Sequence, residues 1–440
     1  MRSFKSRFGV VAFSLGVSFC HESPALADAV TSFKWGRQFG TAGSDEASSV
    51  AVRNGALHVG GFTTGDLAAL NAGGRDAYAR QYSASGAIGW TSQFGTADSE
   101  YGYGIGVEST GNTFLVGRVT ATQSDSFVVK YSSAGGTLWS RQFGTTGDTF
   151  ARGVATDGQG NSYVAGYTAG TLGAASFGAT DGFVRKYDSA GNVVWTRQFG
   201  TVANDSSQRI IVAPSGSIYI AGGTSGGLQG SNVGAEDGYL MKLDSSGNTV
   251  WTRQFGTSAS EGVSSVAIDA SENIYVAGGT TGNLAAINGG GWDAFVVKYT
   301  AAGNAVWSRQ VGSAAFDYAE GVTVNDDGTV YIAGRTEGPL AGLYAGSVDG
   351  FVIGLSPDGS TTQQLQFGTP GSDEVFDIVA FGDSVAVVGT TSGDLFGSNA
   401  GAADAFVAVV PEPAVGLIAT TTSLLILRRS RRTAVTRASA

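Results

Sequence analysis

The segment Trp-x-Arg-Gln-Phe-Gly-Thr, or a close variant, returns seven times, with its Phe position at Phe39, Phe94, Phe143, Phe199, Phe255, Val311 and Phe367. Successive spacings are 55, 49, 56, 56, 56 and 56 residues. So regular a period means that one supersecondary unit is being stacked, and its length fits a propeller blade rather than a pair of helices. The unit from Gly256 to Val311 reads as four short strands, Ser265 to Asp269, Asn273 to Gly279, Asp293 to Tyr299 and Ala305 to Gln310. No helical period competes with these runs. Between the last two strands lie turn clusters such as Asp188-Ser189-Ala190-Gly191-Asn192, which support positive φ and close a hairpin. The expected fold is therefore all-β, a seven-bladed β-propeller with four antiparallel strands per blade.

The ends of the repeat region predict how the ring closes. Lys34 to Phe39 is a fourth-strand sequence with no first three strands before it, and Asp404 to Val410 is a third strand with no fourth after it. Pairing the two supplies the last blade from the N-terminus and removes exposed sheet edges.

Composition narrows the chemistry. With 69 glycines in 440 residues and 42% hydrophobic residues, the chain is turn-rich yet able to form a core. It has one cysteine, Cys20, and two histidines, of which only His58 lies within the repeats. Zinc clusters, Cys/His nucleophiles, Ser/His/Asp triads and disulfide frameworks lack raw material, and no catalytic residue is assigned. No basic stripe marks a nucleic-acid surface.

Both termini read as addresses. Arg2, Lys5 and Arg7 precede an apolar run from Phe8 to Phe19, and Ala25 and Ala27 give small residues at a cleavage site, so residues 1–27 are expected to be a secretory signal peptide. At the other end Pro411-Glu412-Pro413 is followed by an apolar stretch of 14 residues, Ala414 to Leu427, and by Arg428, Arg429, Arg431 and Arg432. Such a stretch is short for a straight membrane span, while the arginines resist translocation. Residues 411–440 resemble the PEP-CTERM sorting signal of exopolysaccharide-producing Gram-negative bacteria. That resemblance implies an inner-membrane-anchored precursor, an exosortase-type processing enzyme as partner, and delivery to the cell surface or outside. A plain C-terminal membrane anchor is the other reading. Between these segments residues 28–410 form the propeller, with 18 basic and 34 acidic residues.

The repeated words Trp-x-Arg-Gln-Phe-Gly-Thr, Tyr-Val-Ala-Gly (Tyr163 to Gly166, Tyr275 to Gly278) and Asp-x-Phe-Val-x-Lys-Tyr (Asp181 to Tyr187, Asp293 to Tyr299) resemble the SBBP family, a seven-bladed propeller repeat of bacterial secreted proteins. The resemblance implies a fold and leaves function open, since propellers host many functions.

Residues that recur once per blade are read as structural. Trp35, Trp90, Trp139, Trp195, Trp251 and Trp307 should pack between blades. Gly61 and its six counterparts end the second strand where a side chain would crowd a neighbouring backbone. Gln38, Gln93, Gln142, Gln198, Gln254, Gln310 and Gln366 are expected to clamp one blade to the next. His58 takes a slot filled elsewhere by Tyr or Phe and should be a packed imidazole. Two acidic sets recur: one before each third strand, from Asp76 to Asp404, and one before the first, Asp45, Glu100, Asp205, Glu261, Asp317 and Asp373. Each caps a turn, or the second set holds calcium on the funnel axis; no cofactor is otherwise required. Where copies deviate, ligand contact is expected. The second copy lacks seven residues near Arg118 and Gln123, and Tyr101, Tyr103, Trp292, Phe316 and Tyr344 are unique aromatics in or beside the same rim. The functional expectation is a non-catalytic surface or matrix protein binding exopolysaccharide or another envelope component. The alternatives are a glycan lyase or hydrolase using funnel carboxylates, and a calcium-dependent adhesin.

Overall fold

The computed structural model describes residues 33–412 apart from 122 and 174. Ala25, Ala27, Pro413, Arg428 and Arg429 lie outside the described residues, as do the expected signal peptide, residues 1–27, and most of the expected sorting segment, residues 411–440. Strand β1 (Trp35–Phe39) comes first, followed by blade 1, β2 (Asp45–Arg53), β3 (Ala56–Thr63), β4 (Asp76–Tyr82) and β5 (Ile88–Phe94). Blade 2 is β6 (Ser99–Val107), β7 (Thr113–Thr120), β8 (Ser124–Tyr131) and β9 (Thr137–Phe143). Blade 3 is β10 (Thr149–Thr156), β11 (Ser162–Thr168), β12 (Asp181–Tyr187) and β13 (Val193–Phe199). Blade 4 is β14 (Asp205–Val212), β15 (Ile218–Thr224), β16 (Asp237–Leu243) and β17 (Thr249–Phe255). Blade 5 is β18 (Glu261–Ile268), β19 (Ile274–Thr280), β20 (Asp293–Tyr299) and β21 (Ala305–Val311). Blade 6 is β22 (Asp317–Val324), β23 (Val330–Thr336), β24 (Asp349–Leu355) and β25 (Thr361–Phe367). Blade 7 takes β26 (Asp373–Ala380), β27 (Ser384–Thr391) and β28 (Asp404–Pro411) from the C-terminal end and β1 as its fourth strand.

The seven sheets are antiparallel with strands in chain order, and β1 pairs with β28 from Trp35 opposite Val409 to Phe39 opposite Ala405. The ring is thus closed as its unmatched ends predict. First strands touch their neighbours around the ring, blade 7 returning to blade 1, and so line a central channel. Second and third strands are sandwiched between adjacent sheets. This explains why β15, β19 and β24 are buried at every position and read as largely apolar runs without alternation. The core is a set of layers between blades: Val59, Tyr78 and Tyr82 of blade 1, for example, pack against Ala386, Val388 and Val407 of blade 7.

The tryptophans grip the next blade. Trp35 Nε1 donates to Ala84 O and Trp90 Nε1 to Ser133 O, both at 3.1 Å. Each ring covers the hairpin glycine of the next blade, where φ is positive (Gly86 at 77°, Gly135 at 87°) and a Cβ would lie about 3 Å from the indole. His58 is buried in the same layer, its Nδ1 2.8 Å from Thr113 Oγ1, and burial lowers its pKa to about 4.

Two expectations need correction. The first strand of blade 5 begins at Glu261, not Ser265, because a β-bulge between Val263 and Ser265 breaks the two-residue alternation. The glutamine clamp works within a blade, not between blades. Gln198 Nε2 donates to Gly170 O (2.8 Å) and Asp181 Oδ2 (2.7 Å), and its Oε1 accepts from the Leu172 and Gly173 amides. It ties the loop between second and third strands to its own sheet.

Candidate functional site at the channel mouth

Every first strand carries the same bulge, and it decides what faces the channel. The register slips between Ala47 and Ser49, Gly102 and Gly104, Ala151 and Gly153, Ser207 and Arg209, Val263 and Ser265, Ala319 and Gly321, and Val375 and Asp377. At the start of the bulge the backbone of the first strand comes so close to the second that a Cβ on Gly222 would stand 1.8 Å from Ser206 O. That contact is the reason for the second-strand glycine. The extra residue of each bulge is Ser48, Tyr103, Arg152, Gln208, Ser264, Glu320 or Phe376, and all seven line one cavity of about 590 Å³. Glu46, Arg209, Glu236, Trp292, Phe316, Tyr318 and Arg335 also line it, with Gly262 and Val263.

One layer deeper the channel is crossed. Five blades place Ser or Gly there, but blade 4 has Arg209 and blade 7 has Asp377, and these two meet at 3.5 Å from opposite sides of the ring. Ser49 Oγ and the Val50 amide also donate to Asp377 Oδ2, at 2.8 and 3.1 Å. Beneath this waist lies a second cavity of about 300 Å³, lined largely by Val and Ile such as Val52, Ile105, Ile211 and Val324.

The mouth is charged and aromatic. Arg335 pairs with Glu374 (2.6 Å) and Glu320 (3.3 Å) and lies over the Phe316 ring. Phe316 stacks on Tyr318, which packs against Trp292. Across the mouth Arg118 lies 4.4 Å over Tyr101, which stacks on Tyr103, while Arg152 lies 4.6 Å over Tyr103. Arg75 donates to Tyr101 Oη at 2.7 Å. Glu46 accepts from Ser48 Oγ at 2.8 Å. Burial raises the Glu46 pKa to about 7; Ser48 and Arg75 oppose the rise, and Glu374 and Glu320 add to it. Burial also raises the Glu320 and Glu236 pKa values.

Of the residues singled out from sequence, Tyr103, Trp292 and Phe316 line the cavity, and Tyr101 and Arg118 stack beside Tyr103. Gln123 lies elsewhere, donating to Thr145 O and Gly147 O between the fourth strand of blade 2 and the first of blade 3. Tyr344 sits in the outer loop of blade 6, its hydroxyl on Ser347 O. The first-strand carboxylates are spent locally. Asp45 Oδ2 accepts from the Thr41 amide and hydroxyl, Asp205 from Thr201 and Thr224, Asp317 from Ser313 and Thr336, and Asp373 from Thr369 and Thr391. Glu100 and Glu261 do the same with Thr96 and Thr257. The two acidic sets flank the glycine after the fourth strand: a Cβ on Gly200 would lie 2.5 Å from Asp181 Oδ1 and 3.0 Å from Asp205 Oδ2. Among the described residues no three Asp, Glu, His or Cys side chains gather as a metal site requires.

Sequence reasoning missed Glu46, Arg75, Arg152, Arg209, Glu320, Arg335 and Glu374. The signal was there as a column that fails to recur: Ser48, Tyr103, Arg152, Gln208, Ser264, Glu320 and Phe376 hold equivalent places and share no chemistry.

Comparison with known proteins supports the repeat. The SBBP beta-propeller repeat model matches residues 138–173 and 250–285. Both stretches carry a Trp of the inter-blade grip and the glycine of the bulge contact. The regulatory protein FlaEY of Caulobacter vibrioides is 28% identical over 272 residues, which is 53% of this chain and 28% of that protein's length. The chain therefore spans under a third of that relative. Among solved structures, polysaccharide lyase Uly1 aligns over 83% of this chain and 90% of its own at 10% identity and a TM-score of 0.48. Sqt1 from Chaetomium thermophilum aligns over 84% and 86% at 12% identity and a TM-score of 0.46.

Proposed function

We propose that this chain is an exported surface or matrix propeller that binds a glycan, an exopolysaccharide or another envelope component, in the channel mouth without transforming it. One observation carries the reading. A cavity of about 590 Å³ is walled by residues that break the seven-fold repeat, and they are aromatic faces, arginines and carboxylates. A volume in the small-ligand range of roughly 300–1,000 Å³, with flat rings and planar donors, suits sugar rings, which offer C–H faces and hydroxyl edges. The Arg209–Asp377 pair blocks threading, so a polymer would enter by a chain end or a pendant sugar. Export rests on the patterns in residues 1–27 and 411–440, with processing by an exosortase-type enzyme.

A second reading has its own support. Glu46, held near pH 7 beside two other glutamates, is poised to exchange a proton, as a glycan lyase or hydrolase requires. One experiment separates the two. Residues 28–410 are cosedimented with the source cells' exopolysaccharide, with calcium and with chelator, and the polymer is then sized. Cosedimentation with intact polymer, weakened by Tyr103→Ala, is expected. Shortened polymer that stays intact with Glu46→Gln would transfer the function to catalysis. Absence of binding and of shortening would overturn both readings, and a chelator effect would restore calcium to the site.

A further inference from the structure

We infer that blades 1 to 3 form an anion subsite in the channel mouth, and that the glycan it takes is acidic, bearing a carboxylate or sulfate. This rests on the glycan reading above and narrows its ligand class. Five arginines stand at the mouth and waist or beside them: Arg152, Arg209 and Arg335 line the cavity, and Arg75 and Arg118 stack on Tyr101 next to it; they fall into two groups. Arg335 and Arg209 are matched by Glu374, Glu320 and Asp377. Arg75, Arg118 and Arg152 have no carboxylate within 4.0 Å among the described residues, and the Nε of each, like that of Arg335, is buried with no hydrogen-bond partner.

These three side chains are held by rings instead. Arg75 lies over Phe62 (5.4 Å) and Tyr101 (5.0 Å), Arg118 over Tyr101 (4.4 Å) and Phe150 (5.2 Å), and Arg152 over Tyr103 (4.6 Å) and Tyr167 (5.7 Å). Arginine and aromatic therefore alternate along three adjacent blades. Stacking fixes a guanidinium in place without neutralising it, and leaves its edge donors for an acceptor. Arg75 spends one Nη on Tyr101 and Arg152 one on Tyr167, leaving most of the N–H groups of the trio to be met from outside the protein. The rings hold the three cations, and Glu46 and Glu320 attract Arg75 and Arg152 from beyond ion-pair distance, but no carboxylate among the described residues is seated on their donor edges. A carboxylate or sulfate accepts two parallel N–H bonds from one guanidinium, and that fork is what the trio presents. The opposite wall, where Arg335 is already paired, offers Trp292 and Tyr318 to an uncharged ring face.

The test measures binding of trigalacturonate, and of the same trisaccharide with its carboxyls reduced to alcohols, to residues 28–410 by calorimetry. The acidic form should bind at least tenfold more tightly. Arg118→Gln and, separately, Arg75→Gln should each weaken it about tenfold, with Tm held within about 2 °C, while Arg53→Gln on the exposed surface leaves it unchanged. Equal affinity for the acidic and reduced forms would overturn the anion subsite and leave glycan binding standing. Binding of neither form would overturn both. Tight binding of polyglutamate that is lost in Arg118→Gln would assign the trio to an acidic peptide. Unchanged affinity in both arginine variants, with the acidic form preferred, would place recognition elsewhere and overturn the assignment.

Discussion

Glu46 follows Asp45 in the chain and points the other way. Asp45 is locked into a turn by Thr41, and Glu46 stands in the channel mouth with Ser48. Alternation along a strand makes this division inevitable: one neighbour serves the ring and the next faces the axis. Because burial raises the Glu46 pKa to about 7 from its ordinary 4.5, the folded protein holds this proton more tightly than the unfolded chain. The stability that Glu46 contributes is full below about pH 4.5 and is lost as pH rises through about 7. Glu46→Gln should therefore raise Tm relative to the parent by about 2 °C at pH 8 and by nothing at pH 4, read by calorimetry across that range. An advantage that is the same at both pH values would show that the side chain acts through shape and not through charge.

At the scale of the element, the fourth strand holds its blade by glutamine and the next blade by tryptophan. The glutamine is worth most where the loop is long. Gln198 is buried with four bonds, whereas Gln142 in blade 2, whose loop is short, is exposed and, among the described residues, bonds Asp125 alone. Gln198→Ala leaves Asp181 and two amides short of a partner and should cost about 2–3 kcal/mol in urea unfolding, against about 0.5 kcal/mol for Gln142→Ala. Comparable losses would mean that the clamp does not depend on the loop. The clamp's existence was legible in the recurrence of Gln, but its direction was not. Sequence places the glutamine opposite the third strand of its own blade and beside the next blade alike, and only the loop's path chooses between them.

For the whole molecule, two long-range contacts can be tested directly, the pairing of β1 with β28 and the ion pair of Arg209 with Asp377. β1 completes blade 7, so a chain starting at Gly40 leaves β28 as a bare edge. It should lose the single cooperative unfolding transition and associate through that edge, as read by light scattering and denaturation; a cooperative monomer would show that six blades and a partial seventh suffice. Arg209 and Asp377 close the waist from blades 4 and 7. A cycle of Arg209→Met, Asp377→Asn and the double variant should give a coupling of about 1–2 kcal/mol, while additivity within about 0.5 kcal/mol would deny the pair any role in holding the ring.

By itself the sequence determined the blade count, the four strands per blade, the closure by Lys34 to Phe39 and the packing role of the tryptophans, because each is local chemistry repeated at a fixed period. It also marked Tyr103, Trp292 and Phe316 as residues that break the pattern. Only the tertiary structure decided that Ser48, Arg152, Gln208, Glu320 and Phe376 share one cavity with them, since the bulge that turns them inward is a register slip between strands that alternation cannot reveal. The meeting of Arg209 with Asp377 is of the same kind: two unremarkable charges, three blades apart, become neighbours because the ring closes and the channel is narrow.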